Sequence, residues 1–141
     1  MSQSKVIAIT PGDPCGIGPE IIARAFLDDF KATSQRKADE QITRHCFVAG
    51  DVGLMQKAAL LVDPGGHQLK VVQIAKASEA TTQPPGVVPV MQVASLEANL
   101  PWGQIDARAG RFAGECVMWA TQAALKKQIA ALVTAPLHKE A

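Results

Sequence analysis

The chain has 141 residues, enough for one domain with a real hydrophobic core. With 48% hydrophobic and 19% charged residues it reads as a globular protein rather than a disordered one. A formal net charge of +1 argues for neither nucleic acid nor an anionic membrane as partner, and no apolar run approaches a membrane span. Met1 to Lys5 passes directly into a strand pattern with no leader, which reads as cytoplasmic.

The three cysteines, Cys15, Cys46 and Cys116, are odd in number and far apart, with no Cys-x-x-Cys pair. That speaks against a disulfide framework and against a structural zinc site. Lys126-Lys127 and Arg36-Lys37 are the adjacent basic pairs and read as solvated faces.

In chain order, Val6 to Ile9 is an apolar β-branched run that enters Thr10-Pro-Gly-Asp-Pro-Cys-Gly-Ile-Gly-Pro-Glu20. Ile21 to Phe30 then leads away at helical spacing, so the order is strand, tight turn, helix. Gly12, Gly16 and Gly18 allow backbone angles closed to other residues, and Pro19 suits a helix start. The N–H groups at such a start can receive a phosphate or carboxylate. The stretch has neither the Gly-x-Gly-x-x-Gly of a dinucleotide fold nor the Lys-Ser/Thr of a P-loop. A ligand loop and a merely tight turn therefore both remain open. Cys15 sits where a helix N-terminus can lower a thiol pKa.

The first helix is expected from about Gly18 to Phe30, with Ile21, Ile22, Ala25, Phe26 and Phe30 toward a sheet. Residues 31–45 turn polar and read as a surface loop, with His45 solvated. Cys46 to Ala49 is a short buried strand, and Asp51 caps a second helix. Leu54, Ala58 and Leu61 form its stripe, with Met55, Ala59 and Val62 beside it. Asp63-Pro-Gly-Gly66 stops that helix, and His67 follows in the turn as a structural or exposed residue.

Residues 69–74 alternate as a third strand. Between Ser78 and Trp102 the pattern is least regular; Val87 to Val93 fits a strand, but Pro89 assigns it to an edge or a bulge. Trp102 either covers apolar surface or stacks on a ligand. A long helix follows from Asp106 or Ala107 to about Lys127, with Phe112, Cys116, Trp119, Ala120 and Ala123 in one stripe. Gly110 and Gly114 would permit close approach, either to the sheet or to another subunit. Ala130 to Thr134 reads as a buried strand, ended by Ala135-Pro136. The whole predicts a three-layer α/β/α domain with a mostly parallel sheet, and both motifs lie at carboxyl ends of strands, where such sheets bind ligands.

Two segments carry a family resemblance. Thr10 to Glu20 closely resembles the N-terminal signature of the 4-hydroxythreonine-4-phosphate dehydrogenases, and echoes the Gly-Asp-Gly-Ile-Gly-Pro-Glu of the isocitrate and isopropylmalate dehydrogenases of the same fold. Thr134-Ala-Pro-Leu-His-Lys-Glu-Ala141 resembles their Thr-Ala-Pro-Ile-Asn-Lys-Glu-Ala segment. The family commonly has alanine at the position of Cys15 and often asparagine at that of His138, which argues against a required role for either.

The resemblance implies that residues 1–141 are the N-terminal α/β segment of a larger two-domain, homodimeric enzyme. It implies oxidation of 4-phosphohydroxy-L-threonine with NAD (or NADP), followed by decarboxylation, in pyridoxal 5'-phosphate biosynthesis. A divalent metal such as zinc, magnesium or cobalt is implied as Lewis acid, held by three histidines outside this chain. No catalytic residue and no metal ligand is carried over; His45, His67 and His138 match none. Gly12, Asp13, Gly16 and Gly18 would shape the loop beside the cleft, and Lys139 would meet an anionic substrate or cofactor or form a surface salt bridge. The segment alone is expected to be inactive. Dihydrodiol dehydrogenases acting on aromatic cis-diol carboxylates, and a non-catalytic α/β binding module, are the alternatives.

Overall fold

The computed structural model describes residues 5–32, 41–96, 103 and 106–136. Trp102, His138 and Lys139, considered in the sequence, lie outside them. The elements in chain order are β1 (Ile7–Thr10), α1 (Gly18–Lys31), β2 (Cys46–Gly50), α2 (Val52–Val62) and β3 (Lys70–Ile74). A short 3-10 helix (Ala77–Thr82), β4 (Val87–Gln92), α3 (Ala107–Leu125) and β5 (Ala131–Thr134) follow. The five strands form one wholly parallel sheet in the order β3-β4-β2-β1-β5.

Residue alternation along the strands assigns the two faces. Cys46 and Val48 of β2 join Val88 and Val90 of β4 under α1 and α2, which contribute Ile22, Phe26, Leu27, Met55 and Ala58. Phe47 and Ala49 point the other way and meet Ala8, Ile74, Ala120, Ala123 and Ile129 beside α3. The Phe47 ring stands edge-on to Trp119, with centroids 6.1 Å apart. A strand covered on both sides carries a continuous apolar run, and β2 is buried at every position. This is the expected α/β/α layering.

Four details differ from the sequence reading. Pro89 lies in an internal strand, not at an edge. Its ladder to β3 runs from Lys70↔Val87 to Ile74↔Met91, whereas the ladder to β2 begins only at Val48↔Val90. The missing N–H thus falls ahead of the β2 ladder and removes no bond from it. β5, read as buried, is with β3 one of the two edge strands among the described residues: it pairs with β1, and Ala131, Val133 and Thr134 are exposed.

The helix stripes are rotated. In α1 the buried set is Ile22, Ala23, Phe26 and Leu27, while Ile21 and Ala25 are exposed. In α2 Leu61 is exposed, because Met55 and Ala59 take the inner face with Leu54 and Ala58. Finally, His45 is half-buried rather than solvated. Its carbonyl accepts the Ile7 N–H at 2.8 Å, and its Nδ1 is buried without a partner among the described residues.

Helix ends follow their local chemistry. Asp51 caps α2 by accepting the Leu54 N–H at 2.8 Å, as its position predicted. Its second oxygen takes the Gln92 amide at 2.9 Å and the Leu96 N–H at 3.3 Å, so one carboxylate ties α2 to the end of β4. Asp63 closes α2 and accepts the N–H groups of Gln68 and Leu69, chiefly Leu69, which hold its carboxyl below its ordinary value.

Candidate functional site at the carboxyl end of the sheet

The turn after β1 and the end of β5 are in contact. Asp13 N–H donates to the Pro136 carbonyl at 2.9 Å, and Ala135 N–H donates to the Thr10 carbonyl at 3.0 Å. The two motifs, at opposite ends of the sequence, therefore form one surface at the carboxyl end of adjacent strands. Gly12 takes φ +70°, and a Cβ there would lie 2.3 Å from the Pro136 carbonyl oxygen. At Gly18 a Cβ would meet the Pro11 carbonyl oxygen at 2.2 Å and the Ala135 methyl at 3.0 Å. Both glycines are required by backbone packed against them. Gly16 is different: its nearest neighbour is the Asp13 carboxylate at 3.4 Å, an ordinary contact.

Asp13 organises the turn itself. Its Oδ1 accepts the Cys15 N–H at 2.9 Å and its carbonyl accepts the Gly16 N–H at 3.0 Å. The Cys15 carbonyl in turn accepts the Gly103 N–H at 2.7 Å, which ties the segment before α3 to the turn. Cys15 is buried, and burial first, then the carboxylates of Asp13 and Asp106, raise its thiol pKa, against a smaller lowering by Arg108. The thiol is a protonated filler, not an activated nucleophile.

α1 starts without a side-chain cap. Ile17 is the N-cap, Gly18 and Pro19 open the helix, and Glu20 lies in its first turn. α3 is capped by Asp106, which accepts the Arg108 N–H at 2.8 Å and the Arg108 guanidinium at 3.1 and 2.9 Å. These bonds, the guanidinium first, pull the Asp106 carboxyl down to about 2. A lowered carboxylate pKa contributes stability above its unfolded value and loses it as pH falls through the folded one. The Asp106–Arg108 clasp is thus intact at neutral pH and opens between about pH 4 and pH 2.

Of the five residues singled out in the sequence, the structure brings Gly12, Asp13, Gly16 and Gly18 into this one turn, while Lys139 lies outside the described residues. Sequence reading did not single out Thr10, Arg108 or Arg111. Thr10 is fully buried at the end of β1, and its Oγ1 has no partner among the described residues. A hydroxyl closing an apolar strand just before a glycine turn was the available signal. The arginines lie on an amphipathic helix, where they read as a solvated face.

Two fits can be tested here. The space left by Gly12 and Gly18 is filled by the chain's own carbonyls, so these glycines do not hold a cradle open for a cofactor phosphate. Among the described residues, no group of three or more His, Cys, Asp and Glu side chains is gathered where a metal ion could sit. Neither group is therefore assigned protein ligands in these residues. No helix among the described residues is long and apolar enough to cross a membrane.

Comparison with known proteins gives a consistent result. A family model described as pyridoxal phosphate biosynthetic protein PdxA matches residues 42–141. The chain is 32% identical over 136 residues to a 4-hydroxythreonine-4-phosphate dehydrogenase of Trichlorobacter lovleyi, covering 96% of this chain and 37% of that protein. It is 34% identical over 144 residues to a D-threonate 4-phosphate dehydrogenase of Salmonella typhimurium, covering 99% and 39%. Among solved structures, a 4-hydroxythreonine-4-phosphate dehydrogenase from Burkholderia phymatum superposes with TM-score 0.78 at 30% identity, over 99% of this chain and 38% of that one. The chain thus spans under two-fifths of the length of these relatives. With the family model matching most of the chain and the same fold recurring in the solved structures, the chain belongs to the PdxA family of pyridoxal phosphate biosynthetic proteins.

Proposed function

We propose that this chain is the N-terminal α/β segment of a larger, two-domain, homodimeric dehydrogenase that oxidises a small phosphorylated hydroxy acid, 4-phosphohydroxy-L-threonine, with NAD or NADP. The observation that carries this is the joining of the Thr10–Glu20 turn to Ala135-Pro136 at the carboxyl ends of β1 and β5, in a chain some of whose relatives are named for that substrate. In the reaction the alcohol carbon gives a hydride to the nicotinamide and its hydroxyl gives up a proton. The resulting β-keto acid then loses its carboxylate as carbon dioxide. A divalent metal, held by residues outside this chain, supplies Lewis acidity to the alcohol.

The role of the described residues is positional. Asp13 fixes the turn, Gly12 and Gly18 let it close on Ala135-Pro136, and Gly16 leaves its outer side open. Together they form a wall of the cleft, and Lys139, which lies outside the described residues, is assigned by the family resemblance to meet the anionic substrate or cofactor. Positioning of this kind supplies much of the rate in a transfer between two bound molecules. The protein is proposed to act in the cytoplasm.

A second substrate reading is favoured by the 34% identity to a D-threonate 4-phosphate dehydrogenase over 99% of the chain. The test is NADH formation by the full-length protein, supplied with NAD and a divalent metal, on each phosphorylated substrate and on an aromatic cis-diol carboxylate. Turnover of 4-phosphohydroxy-L-threonine well above the other two is expected. Preference for D-threonate 4-phosphate would reassign the substrate, and preference for the diol, or no turnover of any, would overturn the reading. Residues 1–141 alone should give no NADH.

A further inference from the structure

The two faces of the sheet are covered unequally. α1 and α2 lie over one face, whereas the other, among the described residues, carries α3 over β1, β2 and β5 and the short 3-10 helix over β2 and β3. Between α3 and the 3-10 helix a groove of about 480 Å³ opens, and all its lining residues lie among the described ones. Met91 of β4 and Ala77 are half-buried in it. Trp119 of α3 forms a wall; its indole is half-buried and is backed by the buried Phe47 ring, edge-on at 6.1 Å. Gln128 stands at the end of that wall, where its N–H donates to the Ala123 carbonyl at 2.9 Å. The turn that puts it there runs through Lys127 at φ 62°, a left-handed position that usually takes glycine.

The charge of this groove has one sign. Lys76 is the ionisable residue in its lining, and Lys126 and Lys127 adjoin Gln128. The carboxylate on the 3-10 helix, Glu79, is engaged by the Ala75 N–H at 3.2 Å. Among the described residues the side chains of Lys76, Ser78 and Gln128 and the indole N–H of Trp119 have no hydrogen-bond or ion-pair partner, so all four are available. An anion is drawn to Lys76, and Ser78 and Gln128 can donate to its other oxygens. Trp119 and Met91 offer an aromatic face and a polarisable sulfur to a flat ring. The volume falls within the roughly 300–1,000 Å³ of small-molecule sites.

We propose that this groove binds a small aromatic anion, its ring against Trp119 and Met91 and its acid group on Lys76. The site stands independently of the reaction proposed above, and its test reads binding rather than turnover. Calorimetric titration of the full-length protein with benzoate, benzamide, acetate and cyclohexanecarboxylate separates charge, ring and aromaticity. Saturable benzoate binding is expected, with benzamide and acetate each about fivefold weaker or more and cyclohexanecarboxylate also weaker. Benzoate should shift the indole N–H resonance of Trp119, identified by its loss in Trp119→Phe, and the shift should saturate with the calorimetric signal. Lys76→Gln should weaken benzoate by about fivefold, and at an exposed position it should keep the wild-type circular dichroism spectrum. No saturable benzoate binding, any of the other three compounds binding as tightly, an unmoved Trp119 resonance, or benzoate affinity unchanged in Lys76→Gln would each overturn the proposal.

Discussion

Within one turn of seven residues, glycine is present for opposite reasons. Gly12 and Gly18 stand where any Cβ would strike backbone oxygen at under 2.5 Å, and Gly12 also holds a left-handed conformation. Gly16 stands between them with ordinary room, facing the Asp13 carboxylate. All three look alike in the sequence. The difference is imposed from Pro11 in the turn itself and from Ala135 and Pro136 at the far end of the chain. Glycine content thus marks a tight turn, but only the packing says which glycine makes it.

Substitutions at four positions test this contrast. The largest effect is expected at its locked ends: Gly12→Ala or Gly18→Ala should each destabilise the full-length protein by about 3 kcal/mol or more, from overpacking against backbone and, at Gly12, from strain at positive φ. Denaturant unfolding measures this, and a change under about 1 kcal/mol would mean the turn adapts instead of locking. Next comes Asp13→Ala, which leaves the Cys15 N–H without its acceptor and should cost about 1 kcal/mol, with Asp13→Asn recovering most of it because an amide oxygen accepts the same bond. Equal losses in both variants would point to charge rather than the hydrogen bond. The smallest effect is expected at Gly16→Ala, within about 0.5 kcal/mol of wild type, since its Cβ meets no atom closer than 3.4 Å. A loss there as large as at Gly12 would erase the distinction.

The fold was largely legible because its signals are local. Asp51 caps α2 as predicted, α3 starts at the expected Asp106 or Ala107, and Gly and Pro punctuate the strand ends. Strand order is another matter. Whether Pro89 sits inside a sheet depends on where the β2 ladder starts, which no neighbouring residue reports. Helix stripes shifted by one residue, as with Ala25 giving way to Phe26 and Phe26 joined by Leu27, because adjacent apolar residues leave the rotation of a helix to its partners.

The glycine turn was legible as a unit, but its internal roles were not, since Gly12 and Gly18 answer to atoms contributed by distant residues. Gly114 carries the same lesson in reverse. It was read as a point of close approach to the sheet or to another subunit, and the first of these does not hold, since a Cβ there would meet nothing within 4 Å.

The bond from Asp13 to Pro136 also has a consequence in time. Contacts between residues so far apart in sequence form late, because the chain must first lose the entropy of closing the loop between them. β1 can pair with β2 and cover its α1 side as soon as those segments exist, but the turn that follows β1 has no final shape until β5 has docked alongside. The turn after β1 is therefore fixed only after residues made well after it, and the surface it forms matures only when synthesis has passed Pro136.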